Sequence, residues 1–92
     1  MSGPQTSASE PRSGSTVLGG YPWLARMIDK ARLEAAGQIE MFDLEYPCPM
    51  DQRLLAQFKM DGRSFQQIVV SAPNDQAILE ALKTHGVAIQ PS

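Results

Sequence analysis

Cysteine and histidine are nearly absent from the 92-residue sequence, which contains one of each, Cys48 and His85. A single cysteine excludes an internal disulfide framework. Structural zinc sites use about four Cys or His ligands, so these two residues do not predict one. We therefore expect neither a metal nor another cofactor.

Basic charge and long apolar runs are also lacking. Eight Lys and Arg face ten Asp and Glu, for a formal net charge of −2. A nucleic-acid binder needs a basic surplus to neutralise phosphates, so we expect no nucleic-acid partner. Glycines and a proline interrupt the longest uncharged stretch, residues 13–25, well short of the ~20 apolar residues of a membrane span. We expect no membrane partner, no signal-like leader and a cytoplasmic location.

The length fits a single domain, and the composition changes near residue 17. Serine, threonine, glycine and proline fill 11 of the first 16 positions. Such a segment cannot bury enough apolar surface to offset its ordering entropy. The sequence therefore predicts a disordered N-terminal tail over residues 1–16 and one folded domain over residues 17–92.

Apolar residues recur at three- and four-residue steps from Leu24 to Ala36, which predicts an amphipathic first helix. Pro22 suits the turn before it, and Gly37 is a natural C-terminal cap. The remaining positions of this helix are charged, so one face is predicted to be buried and the other solvated.

Three further short helices follow from their capping residues. Cys48 is the predicted N-cap of the second helix, because Pro49 suits a first helical position. Asp61 and Asn74 are the predicted N-caps of the third and fourth helices. Gly86 is expected to end the fourth, with His85 capping its last turn. The predicted fold is therefore an all-α compact domain of four short helices.

Two segments allow an extended alternative. Residues 42–46 alternate apolar and acidic side chains, the period of a half-buried strand, and residues 87–89 could pair with them. The β-branched pair Val69 and Val70 makes a strand the competing prediction for the third helix. The predicted core takes apolar residues from all four helices: Leu24, Met27, Ile28, Leu54, Phe58, Phe65, Ile68, Val69, Ile78 and Leu82.

Four sequence blocks resemble a bacterial family known as domain of unknown function DUF5069. They read Leu-Gly-Gly-Tyr at 18–21, Ile-Asp-Lys-Ala-Arg at 28–32, Ala-Gly at 36–37 and Cys-Pro-Met-Asp-Gln-Arg-Leu at 48–54. The resemblance covers about Val17 to Gly86. It implies an architecture and two charged blocks of interest, and it implies no reaction, substrate or cofactor.

Cys48 is the residue with the most suggestive chemistry. An N-cap thiol faces free backbone N–H groups and the positive end of the helix dipole, which are features of reactive cysteines. Asp51 in the same turn opposes a thiolate, and His85 is the only histidine that could act as a base. A half-buried structural cysteine is the alternative interpretation.

The two charged blocks of the resemblance form the predicted binding surface, on the outer face of the first helix and the start of the second. We expect Asp29 to pair with Arg53, or Arg32 with Asp51, and so to frame a site. The alternative is that the charged residues are surface pairs that only support the fold. The full candidate surface, with aromatic residues at its rim, is Asp29, Lys30, Arg32, Asp51, Gln52, Arg53, Tyr21 and Trp23.

Two functions remain open from the sequence. The first is a non-enzymatic protein-interaction or regulatory module with a protein partner. The second is a thiol-dependent site at Cys48, redox-sensing or catalytic. The residues favour no reaction, and they leave the partner and the oligomeric state undetermined.

Overall fold

The computed structural model describes residues 10–90, and within them the regular structure is mostly helical. A short hairpin and a 3-10 turn (Ile39–Phe42) accompany the helices. The all-α prediction is confirmed. The elements are β1 (Val17–Leu18), β2 (Tyr21–Pro22), α1 (Leu24–Ala35), α2 (Pro49–Phe58), α3 (Gly62–Ser71) and α4 (Asp75–Thr84).

The helix starts follow the predicted capping chemistry. The Asp61 carboxylate accepts a hydrogen bond from the backbone N–H of Ser64 at 2.8 Å, and this bond holds the pKa of Asp61 below its ordinary value. The Asn74 side chain accepts from the backbone N–H of Ala77 at 2.9 Å. Cys48 precedes α2 in an extended conformation, as an N-cap residue should.

The helix ends also lie close to the predicted positions. Gly37 and Gly86 follow α1 and α4 with φ angles of 71° and 93°, which only glycine adopts without strain. α3 ends at Ser71, two residues before Pro73. The strand alternative for Val69 and Val70 is wrong, because the helical stripe buries Val69 in the core.

Helix α3 is central, because it packs against each of the other three helices. The predicted core is buried except for Ile68, which is half-buried against it. Tyr21 from β2 closes one side of the core, with its ring edge-to-face on Phe58 at a centroid distance of 5.0 Å. The sequence pattern therefore identified the buried faces of all four helices.

The extended segment lies elsewhere than expected. Residues 42–46 form no strand, and Phe42 is instead the last residue of the 3-10 turn. The strand pairing is antiparallel between β1 and β2, across Gly19 and Gly20. Both glycines have positive φ angles, 62° and 92°, which a two-residue hairpin turn requires. Residues 87–90 also join this hairpin, because the Gln90 N–H donates to the Gly19 carbonyl at 2.9 Å.

The N-terminal segment contacts the helices at Pro11 and Arg12, before the predicted boundary at Val17. Pro11 is buried, and Gly14 lies against the indole of Trp23. Residues 1–9 of the predicted tail lie outside the described residues. Within residues 10–90, no helix has the length and apolar character that a membrane crossing requires.

Candidate functional site

Asp51 is the centre of a buried polar cluster at the start of α2. It is the third residue of the helix and is 0% exposed. Its Oδ2 accepts the backbone N–H of Cys48 at 3.0 Å, so the carboxylate caps its own helix. Its Oδ1 accepts the indole N–H of Trp23 at 2.7 Å. The negative charge also lies in the first turn, where the helix dipole favours it.

Lys30 supplies the positive charge of this cluster from the middle of α1. Its ammonium Nζ lies 2.8 Å from Asp51 Oδ2, and the side chain is only 2% exposed. The same Nζ donates to Cys48 Sγ at 3.1 Å. A buried charge needs a counter-charge and hydrogen-bond partners, and this arrangement gives Lys30 a carboxylate and two acceptors. We call Trp23, Lys30, Cys48 and Asp51 the Lys30–Asp51 cluster.

Trp23 has an unusual backbone conformation for a bulky residue. Its φ angle of 79° lies in the left-handed region, which costs free energy for a non-glycine residue. Its hydrogen bond to Asp51 and two cations over its ring offset that cost. The Arg26 guanidinium lies 5.5 Å and the Lys30 Nζ 5.7 Å from the ring centroid. The indole therefore covers the buried ion pair.

Cys48 and Trp23 are the half-buried members of the Lys30–Asp51 cluster. Cys48 is half-buried, whereas Lys30 and Asp51 are closed off from solvent. A cationic neighbour and a helix N-terminus are the surroundings in which reactive cysteines occur. The cluster can therefore present a thiol to small reagents, while its ion pair is inaccessible to a macromolecular partner.

The two ion pairs expected from the sequence are wrong. Asp51 pairs with Lys30 and not with Arg32, because positions 30 and 32 point to nearly opposite sides of α1. Asp29 pairs with Arg12 and not with Arg53, at 2.9 Å between Arg12 Nε and Asp29 Oδ2.

Arg12 links three distant parts of the chain. Its guanidinium contacts Asp29 of α1 and also Asp75 at the start of α4, at 2.6 Å between Nη1 and Oδ2. The hydrogen bonds from Arg12 hold the pKa of the Asp75 carboxyl below its ordinary value, and the pKa of Arg12 is raised by the same bonds. The sequence carries no local signal for this, because Arg12 lies in a segment of tail-like composition.

The other predicted surface residues are spread over the domain. Gln52 and Arg53 are exposed on α2, and Arg32 is half-buried on α1. The Tyr21 hydroxyl donates to the carbonyl of Ala88 at 2.7 Å, so Tyr21 fastens the C-terminal segment. The structure thus brings together Trp23, Lys30 and Asp51, with Cys48, but not the eight residues as one surface.

A groove that the sequence analysis missed runs across α2, α3 and α4. The part between α3 and α4, about 460 Å³, includes Ser64, Ile68, Ala77 and His85. Ser64 and His85 also line a second concavity, which continues past Met60 toward the α2 side. A third concavity shares Met60 and extends to Gln52. We define Gln52, Met60, Ser64, Ile68, Ala77 and His85, with their neighbours along this path, as the α2–α4 groove.

His85 follows α4 directly, and its backbone N–H donates to the carbonyls of the last turn. This position agrees with the predicted capping role. Within residues 10–90, no three His, Cys, Asp or Glu side chains lie together as a set of metal ligands would.

The fold and the cluster together define a small four-helix domain whose first two helices are joined by a buried ion pair. The family described as Domain of unknown function (DUF5069) matches residues 8–91 of the chain. The protein therefore belongs to this family, as the sequence blocks indicated. The match starts before Val17 and includes Arg12. No curated protein matches the chain.

Proposed function

We propose that the protein is a non-enzymatic interaction module that holds a segment of a protein partner in the α2–α4 groove. The observation that carries this proposal is the groove itself, about 460 Å³ between α3 and α4 with extensions toward α2. A concavity of this size accommodates side chains of a docked peptide, since ligand pockets typically measure about 300–1,000 Å³.

The lining suits a partner segment with apolar side chains. Ile68, Ala72, Pro73 and Ala77 provide an apolar floor between α3 and α4. Ser64, Gln67 and Ser71 line the same groove and offer donors and acceptors that an apolar surface lacks. An apolar centre with polar groups around it is the usual composition of a specific interface.

The start of α2 extends this proposed interface. Gln52 is exposed and lines the groove. Arg53 and Met50 are exposed about one turn apart on the same helix, with Met50 44% exposed. Methionine and arginine are both enriched at protein interfaces. The proposal keeps Gln52 and Arg53 from the surface predicted by sequence, and it leaves out Lys30 and Asp51 because they are buried.

A matched pair of variants on α3 tests the groove. Ser71 is exposed and lines the groove, whereas Val70 is 55% exposed and lies outside its lining. A protein captured by the wild-type chain from native cell extract is identified, purified and titrated against both variants. Ser71→Arg should place a charged side chain in the groove and weaken binding at least about tenfold. Val70→Arg, with the same new charge, should bind like wild type.

Equal affinity of both variants for that partner would place the interface elsewhere. Melting temperatures of the two variants control for folding, and they should agree because both positions are exposed. A purified partner that fails to bind the wild-type chain in isolation contradicts the proposal as well.

A thiol-dependent function at Cys48 is a second candidate, supported by the 3.1 Å contact between Lys30 Nζ and the sulfur. Redox sensing fits this contact, because a cation beside a sulfur accompanies reactive thiols. The test is the rate of alkylation of the folded chain by iodoacetamide at neutral pH. A rate above that of free glutathione supports the candidate. A slower rate, restored only on unfolding, identifies a structural cysteine.

A further inference from the structure

We propose that Cys48 and Lys30 form a reversible covalent sulfur–nitrogen cross-link when peroxide oxidises the thiol. The modification would join α1 to the start of α2 by a sulfenamide bond. This inference rests on the second candidate function, because it requires that the Cys48 thiol reacts with an oxidant.

The geometry places a nitrogen nucleophile directly beside the sulfur. Lys30 Nζ lies 3.1 Å from Cys48 Sγ, and the lysine side chain is only 2% exposed, which keeps the amine away from solvent. Cys48 itself is half-buried, so a small neutral oxidant such as hydrogen peroxide can reach the sulfur. Two reactive groups that a protein holds side by side react far faster than the same groups free in solution, because their approach costs little further entropy. An intramolecular amine can therefore intercept the oxidised sulfur before external thiols do.

The chemistry needs two steps and one equivalent of peroxide. In the first step the thiol of Cys48 attacks one peroxide oxygen, the O–O bond breaks, and sulfenic acid and water form. In the second step the neutral amine of Lys30 attacks the sulfenic sulfur, and the S–O bond breaks as the S–N bond forms. The leaving oxygen departs as water with one amine proton. Sulfur loses two electrons overall, and peroxide gains them.

Asp51 allows the second step to take place at a buried amine, because its carboxylate can take up the proton that Lys30 must lose. The amine must lose its extra proton before it attacks, and Asp51 Oδ2 lies 2.8 Å from Nζ to accept it. The reduced cluster holds one ammonium and one carboxylate, and the cross-linked cluster holds a neutral sulfenamide and a neutral acid. The net charge of the Lys30–Asp51 cluster is zero in both states. The reaction therefore leaves no unpaired buried charge, which a protein interior solvates poorly.

The contact also selects one lysine out of three. The sequence contains Lys30, Lys59 and Lys83. Lys59 and Lys83 are exposed, and among the hydrogen bonds of residues 10–90 the sulfur contact belongs to Lys30. A specific cross-link should thus involve Lys30 alone.

Peptide mapping of the full chain tests the cross-link. The reduced protein is treated with hydrogen peroxide, denatured without reductant and digested with trypsin. We expect cleavage after Lys30 to be lost and the peptide containing Lys30 to be joined to the one containing Cys48. The joined mass should be lower by two hydrogen atoms than the sum of the reduced peptides, apart from oxygens added to methionine. Exposed Met41 and Met50 take up such oxygens, so intact mass alone is insufficient.

Reversal and variants complete the experiment. Dithiothreitol should restore the separate peptides, because thiols reduce the S–N bond to thiol and amine. Cys48→Ser should give no joined peptide, and Lys59→Arg should give as much as wild type. If dimedone labels Cys48 and trypsin still cleaves after Lys30, the cross-link is overturned and the thiol function is kept. If Cys48 still reacts with an alkylating agent after peroxide treatment, both the cross-link and the redox-sensing function of the thiol are overturned.

Discussion

The ammonium of Lys30 lies 2.8 Å from the carboxylate of Asp51, and both side chains are closed off from solvent. This pair joins the middle of α1 to the first turn of α2. The carboxylate also accepts hydrogen bonds from Trp23 and from the backbone of Cys48. The two charged sequence blocks thus meet through residues that stabilise the fold, whereas Gln52 and Arg53 of the second block are exposed at the surface.

Loss of the buried carboxylate should be strongly destabilising. Asp51→Asn keeps the shape of the side chain and an acceptor for Trp23, but it leaves the Lys30 ammonium without its counter-charge. We expect a loss of about 3–5 kcal/mol in the free energy of unfolding, measured by urea titration. Asp43→Asn is the matched control, because Asp43 is exposed and asparagine tolerates its left-handed backbone. Equal effects of the two changes would show that the ion pair contributes little.

Phe58 tests the packing of the core. Its side chain is 5% exposed and meets the edge of the Tyr21 ring. Phe58→Ala should cost about 3–5 kcal/mol, because it opens a cavity that the neighbouring helices cannot close. Met50→Ala on the exposed side of the same helix should change stability by only about 0.5 kcal/mol. Denaturant midpoints of the two variants that differ little from each other would contradict the helical packing.

The bridge from Arg12 to Asp75 should make stability depend on pH. Because Arg12 lowers the pKa of Asp75 in the folded state, the stabilisation is complete above the ordinary carboxyl pKa of about 3.9. This stabilisation is lost as the pH falls through the lower pKa that Asp75 has in the folded state. Arg12→Gln should therefore be less stable than wild type by about 1 kcal/mol at pH 7, and the difference should shrink at acidic pH.

Melting temperatures of wild type and Arg12→Gln, recorded from pH 7 down to pH 2, measure this effect. Arg63→Gln, at an exposed position on α3, controls for the loss of one positive charge. A difference between wild type and Arg12→Gln that stays constant over the whole pH range would contradict the assigned cause.

Gly14 should be intolerant of any side chain. A Cβ atom at this position would overlap the Cε3 atom of Trp23, which no real packing allows. Gly14→Ala should therefore displace either the N-terminal segment or the indole. We expect a lower melting temperature and a changed tryptophan fluorescence spectrum, since the chain has a single tryptophan. Unchanged fluorescence in Gly14→Ala would show that this contact is absent in solution.

The Arg53→Ala variant should affect partner binding without affecting folding. Its side chain is exposed on α2, next to the groove residue Gln52. Arg53→Ala should weaken partner binding about tenfold, equivalent to about 1.4 kcal/mol, and should leave the melting temperature nearly unchanged. Titration of the purified partner measures the first quantity, with Arg63→Ala as the control. Parallel loss of binding and stability would assign Arg53 a structural role instead.

The helices were predictable because their signals are local. Asp61, Asn74 and Gly86 determine helix ends through bonds and φ angles within a few residues. The apolar stripes likewise need only the 3.6-residue period to identify the buried faces. The hairpin was missed because each of its strands has two residues, too few to show an alternating pattern.

The Lys30–Asp51 cluster and the Arg12 contacts depend on ion-pair partners that no local sequence pattern specifies. The sequence determined that two charged blocks exist and that Cys48 begins a helix. Only the tertiary structure decided that Lys30, rather than Arg32, meets Asp51, because helix rotation and crossing determine which cation enters the core. The same holds for Arg12, whose partners lie 17 and 63 residues away in the chain. A long-range ion pair is selected by the packing of the helices around it, and that packing is a property of the whole domain.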